Sequence, residues 1–190
     1  MDLIFVADSP ARSQLLVNAA ARAGHRVIRH TGFSDEASEY VATMRPQAVI
    51  FVSDEIDRNV LREMRAVTEK SPTPILVFTH DASDAAIDES VKAGASAYIV
   101  DCHDASRLNS LLRVSLTRFA EQQKLTAQLE RTRLALQDRK IVEKAKGLIM
   151  QQKHLSEDQA YRTIRKLAMD QNRRLGEIAE LIIAAPDVLA

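Results

Sequence analysis

The chain has 190 residues, 46% of them hydrophobic and 27% charged, with no Trp; this is the make-up of a folded globular protein with room for one sizeable domain and one small one. No apolar run approaches the roughly 18 residues of a membrane span, the start Met1-Asp2-Leu3-Ile4-Phe5-Val6-Ala7-Asp8 lacks a basic leader, and a lone Cys102 offers neither an internal disulfide nor a zinc site; a cytoplasmic location is expected. A net charge of zero conceals an asymmetry: residues 1–120 hold 13 Lys and Arg against 16 Asp and Glu, whereas residues 131–174 hold 12 against 5, and a localised basic segment is what a polyanionic partner requires.

Short apolar, β-rich runs at residues 3–7, 27–30, 48–52, 75–79 and 97–100 alternate with helix-period stretches, which predicts parallel strands joined by helical crossovers. Gly24, Pro46, Pro72, Pro74 and Gly94 punctuate the boundaries. Five such units in residues 1–120 fit a flavodoxin-like α/β sheet, in which chemistry gathers at the C-terminal ends of the strands.

Those ends read Ala7-Asp8 after the first strand, Val52 at the close of the third, Thr79 after the fourth, and Tyr98 followed by Asp101-Cys102 on the fifth. The pattern resembles the receiver domain of response regulators, with gaps. Asp8 keeps one member of the acidic pair and Ala7 replaces the other. Val52 occupies the phosphoacceptor position, Asp101 occupies that of the lysine, and Thr79 and Tyr98 match the hydroxyl and aromatic positions. Asp54, two residues beyond Val52, shares its direction only if the strand continues. Phosphoryl transfer needs a carboxylate nucleophile, a metal held by further carboxylates, and a cation on the transferred group; Val52, Ala7 and Asp101 remove one of each. The resemblance implies a pseudo-receiver with no catalytic residue, metal or cofactor, acting as an interaction module. Asp8 and Thr79 also suit ordinary turn and cap chemistry.

From residue 106 to about 152 the sequence has no Pro, and no Gly before Gly147, so one long helix is predicted. Leu108, Leu111, Leu112, Ser115, Leu116 and Phe119 form a broad stripe suited to closing the first domain. Leu125, Leu129 and Leu136 continue as a narrower seam, interrupted by Gln122, Thr126 and Arg133. Residues 121–137 thus read as a helical coiled-coil linker that pairs two copies into a homodimer, or as a seam that folds back on the C-terminal helices.

At 100° per residue Ile141, Val142, Ala145, Leu148 and Ile149 share one arc. Arg139, Lys146 and Lys153 lie to one side of the opposite arc, and Lys140 with Lys144 on its other side. Gly147 in mid-helix implies either a close helix crossing or a backbone approached by a ligand. Ser156 with Gln159 forms a capping box that opens a second helix; there Ala160, Ile164, Leu167 and Ala168 face inward and Arg162, Arg165 and Lys166 outward, with Tyr161 at the edge. After Asn172-Arg173-Arg174 a last helix, with Leu175, Ile178, Leu181 and Ile182, completes a three-helix core.

Arg139-Lys140-Ile141, Ala145-Lys146-Gly147-Leu148-Ile149-Met150, Ser156 to Ala160-Tyr161, Arg165-Lys166-Leu167-Ala168-Met169 and Ile178-Ala179 together resemble the ANTAR domain over residues 130–185. The whole layout resembles the NasT-like, nitrate-assimilation branch of the ANTAR-domain response-regulator family, with Val52 where that branch carries Asp. The resemblance implies an RNA-binding transcription antiterminator that grips paired stem-loops in nascent leader RNA. It also implies control by a ligand-sensing protein of the nitrate or nitrite sensor type rather than by phosphorylation. Arg139, Lys140, Lys146, Arg165, Lys166 and Arg173 are the candidate RNA-phosphate contacts. A DNA-binding response regulator and a protein-interaction adaptor are the alternative readings. The first lacks the short Gly-containing turn of a helix-turn-helix.

Overall fold

A computed structural model of the chain describes residues 1–33, 36–101 and 107–184, leaving Cys102 and Ser106 outside the described residues. The chain divides into two compact units, Met1–Gln122 and Gln123–Ala190.

The first unit is a five-stranded parallel sheet in the order β2-β1-β3-β4-β5. In chain order its elements are β1 (Asp2–Ala7), α1 (Pro10–Arg22), β2 (Arg26–Thr31), α2 (Glu36–Met44), β3 (Ala48–Val52), α3 (Arg58–Lys70), β4 (Ile75–Thr79), α4 (Asp84–Lys92) and β5 (Ala95–Val100). The strands alternate their side chains between two cores, as the period of two requires. Leu3, Phe5, Ala48, Ile50, Leu76 and Phe78 pack on one face against Leu16 and Ala20 of α1 and against Leu108 and Leu112. Ile4, Val6, Val49, Phe51, Ile75 and Val77 pack on the other against α2 and α3 through Val41, Val60, Met64 and Val67. Coverage on both sides explains why the central strands read as continuous apolar runs rather than alternating ones.

Local signals fix the joints. Asp57 caps α3 by accepting from the N–H groups of Asn59 and Val60, both at 2.9 Å, and Ser83 caps α4 through Ala86 N–H at 3.3 Å. Gly94 turns into β5 at φ +106°, where a Cβ would lie 2.2 Å from Thr68 Oγ1; only glycine fits.

One 46-residue helix, α5 (Leu108–Lys153), begins in the first unit and ends in the second. Its early stripe closes the sheet as expected, with Leu108, Leu112 and Ser115 almost fully buried. The second unit adds α6 (Glu157–Asp170) and α7 (Leu175–Ala184). Its core is Val142, Ala145, Ile149, Ala160, Ile164, Ala168, Ile178, Ala179 and Ile182. The capping box is present: Ser156 Oγ accepts from Gln159 N–H, and Gln159 Oε1 accepts from Ser156 N–H at 2.9 Å. Three expectations need correction. Leu181, assigned to the core, is 39% exposed because α7 presents Ile178, Ala179 and Ile182 instead. Nothing lies within 4 Å of a Cβ placed on Gly147, so no helix crosses there; the close crossing is at Gly176, where a Cβ would meet Asp138 Oδ1 at 2.1 Å. Leu125, Leu129 and Leu136 are 66%, 51% and 57% exposed, which rules out a seam folded back on the C-terminal helices.

Candidate nucleic-acid interface

At the C-terminal ends of the strands the side chains form an internal charge network. Val52 closes β3 as a nearly buried apolar residue, 8% exposed. With Leu16 and Phe78 it lines a cavity of about 450 Å³. Backbone pairing continues past it, since Ser53 N–H donates to Phe78 O at 3.1 Å and His80 N–H to Asp54 O at 3.3 Å. Asp54 therefore does reach the site. Arg12, in the first turn of α1, pairs with Asp8 and lies 2.7 Å from Asp54 Oδ2, so its guanidinium bridges the two carboxylates. His80 Nδ1 is 2.5 Å from Asp101 Oδ1, and its Nε2 is 3.9 Å from Asp54. The hydrogen bond to Asp101, with the further charge of Asp54, raises the imidazole above its ordinary 6.5. Asp101 holds the left-handed conformation at φ +48°. Thr79 donates to Asp54 O at 2.8 Å and accepts from Asp81 N–H at 3.1 Å, while Tyr98 donates to Asp81 O at 2.8 Å. Both side chains hold loops.

The basic residues of the second unit divide into engaged and open ones. Lys146 is the correction among the six candidates. It is 8% exposed, with Nζ 2.9 Å from Glu143 and 2.7 Å from Glu157. The capping box sets the first turn of α6 over the side of α5 and so delivers Glu157 to the ammonium, whose pKa those two carboxylates raise. Lys146 thus holds α5 to α6. Arg173 shares Glu177 with Arg174, at 3.3 and 2.9 Å, and Arg162 pairs with Asp158 at 2.8 Å. Arg139, Lys140, Arg165 and Lys166 are exposed and, among the described residues, form no ion pair, and the same holds for Lys144.

The structure brings Arg165 and Arg173 together. With Arg174 they rim a cavity of about 490 Å³ whose remaining lining is Ala168, Met169, Asn172 and Leu175. Met169 is 72% exposed and Tyr161 40%, so the tyrosine is a surface group. Sequence reasoning gave no site role to Arg12, or to Arg174, Asn172 and Met169, which it read only as a helix break and part of a motif. Only Arg12 had a local signal, its spacing of four from Asp8. The others acquire meaning from the turn between α6 and α7. No group of three or more His, Cys, Asp or Glu among the described residues could hold a metal, and no helix there is long and apolar enough to cross a membrane.

Comparison with known proteins fits both units. Residues 130–183 match the family model of the ANTAR domain. The transcriptional regulatory protein PdtaR of Mycobacterium tuberculosis is 27% identical over 160 residues, which cover 84% of this chain and 78% of that protein. The nitrate regulatory protein of Klebsiella oxytoca is 43% identical over 63 residues, 33% of this chain and 16% of its own. In fold, the first unit is like the response regulator domain of Thermotoga maritima CheB, with a TM-score of 0.52 at 17% identity over 62% of this chain and 96% of that one. It is also like Vibrio cholerae CheY4, with a TM-score of 0.51 at 24% identity over 60% and 97%. Residues 130–183 thus form an ANTAR domain behind a unit with the receiver fold, in a chain similar along most of its length to a transcriptional regulatory protein.

Proposed function

We propose that this chain is a cytoplasmic transcription antiterminator that binds paired stem-loops in nascent leader RNA as a homodimer. Control comes from a ligand-sensing protein partner rather than from phosphorylation. The observation that carries this reading is that Arg139, Lys140, Arg165 and Lys166 are exposed without carboxylate partners among the described residues, as is Lys144, while Lys146, Arg162, Arg173 and Arg174 are spent on internal pairs. Such cations supply salt-dependent phosphate contacts, and sequence is then read from unpaired loop bases, because the A-form major groove is too narrow for side chains. Arg173 contributes from the rim of the α6–α7 cavity, and Lys146 positions the two helices.

The names of the relatives, one a transcriptional regulator and one a nitrate regulatory protein, support a role in transcription and an inducer of the nitrate or nitrite type. The charge network at the strand ends supports control by a protein. A partner that binds this chain and its ligand antagonistically weakens each by the same factor. The test is crosslinking of bound transcripts in cells, followed by gel-shift competition between a recovered leader and duplex DNA. Leader RNA displaced only by RNA is the expected result; displacement by duplex DNA favours the DNA-binding alternative, and recovery of no transcript favours the adaptor.

A further inference from the structure

The cavity at the α6–α7 turn combines features that its place in the fold does not require. The backbone there closes on itself: Asn172 N–H donates to Met169 O at 3.2 Å and Arg173 N–H to Ala168 O at 3.0 Å, the paired bonds that end a helix in a left-handed residue. Asn172, at φ +50°, is that residue. Its side-chain amide has no hydrogen-bond partner among the described residues, so a donor and an acceptor are displayed side by side over the cavity. Beside it Met169, 72% exposed, is a large apolar side chain set among guanidiniums. A thioether is soft and adaptable, and makes favourable contacts with aromatic rings. Arg165, Arg173 and Arg174 rim the same cavity; Glu177 pairs with the last two and Asp138 and Glu180 also act on Arg174, while Arg165, with no ion pair among the described residues, offers its charge to an anion.

A flat ring with hydrogen-bonding edges, joined to a phosphate, complements all three. Resting on the RNA reading above, we propose that this cavity is the pocket for one unstacked loop base of the RNA. Met169 packs on the ring, Asn172 reads its edge, and the arginines hold the adjoining phosphate. A base inside a duplex keeps both faces stacked on its neighbours and cannot lay one on Met169; a base splayed from a loop can. Glu177 then has a second role, keeping Arg173 and Arg174 extended toward the cavity until a phosphate competes for them.

The test uses the full chain and twin-hairpin RNAs recovered by binding from a pool with randomised loops, each loop nucleotide in turn being made abasic. Affinities are compared for the wild type, Met169→Ala and Asn172→Gly; glycine keeps the left-handed turn, and Met169 is too exposed to support the core. The expected result is one loop position at which loss of the base weakens the wild type about tenfold or more, while both variants bind intact and abasic RNA alike. The pocket is overturned if the abasic loss is as large in the variants as in the wild type, or if no single loop base matters. A pool that yields no binder to the wild type overturns the RNA reading itself, and the pocket with it.

Discussion

Lys146 and Arg165 are both basic residues on helices of the same small unit, yet the structure places them in opposite surroundings. Lys146 is held by Glu143 and Glu157, whereas Arg165 stands open at the rim of the α6–α7 cavity. Arg165→Ala should therefore weaken binding to every cognate RNA and lower the slope of log K against log salt by about 0.7 to 0.9. Lys146→Met should leave the slope unchanged and affect only the stability of the unit. Filter binding across a salt series measures both, and a lowered slope in Lys146→Met would contradict the assignment. His80 makes a second prediction. Its bond to Asp101 and the charge of Asp54 raise its folded pKa, with Arg12 opposing them, so the stabilisation is complete below the unfolded value and is lost as pH rises through the folded one. His80→Gln should lower the melting temperature near about pH 6 and leave it unchanged near about pH 9. A pH-independent difference would mean that the His80–Asp101 contact does not involve the charged ring.

At the scale of elements, the strands and helices were legible because their signals are local. Ile50 and Phe51 alternate between two buried faces within one apolar run, and Ser156 and Gln159 announce the start of α6 three residues apart. What escaped reading depends on distant partners. Lys146 is buried by a glutamate eleven residues later. Arg12 is spent on Asp54 across two strands. Gly147 looked like a crossing point, while the real one, Gly176 against Asp138, joins α7 to α5. The cavity beside Asn172 could not be read at all, since it exists only where α6 turns into α7. The seam of α5 remains open in the single chain, with Leu125, Leu129 and Leu136 each more than half exposed. Their spacing of four and seven suits a second helix. Leu129→Glu should convert a dimer to a monomer in sedimentation equilibrium; a monomeric wild type, or a dimer indifferent to the change, would contradict pairing through this segment.

For the whole molecule, we propose a division of labour: the receiver-fold unit, with Arg12, Val52 and Asp101 at its strand ends, takes the partner's control, and the helical unit, with Arg139, Lys140, Arg165 and Lys166 exposed, takes the RNA. Acetyl phosphate with magnesium should add no phosphoryl group to the chain, as read by intact-mass spectrometry, and should leave its RNA affinity unchanged. An adduct on Asp54 would restore phosphorylation as the control. The charge asymmetry between the two halves of the sequence already pointed to this division, although it could not say which cations were free.

The most direct measurement is the salt dependence of RNA binding by the full chain and by a variant with Arg139, Lys140, Arg165 and Lys166 all changed to Ala. The wild type should bind twin-hairpin RNA with a steep slope, and the variant's slope should be shallower by roughly 3. Equal slopes, or a wild type that ignores such RNA at low salt, would contradict the account.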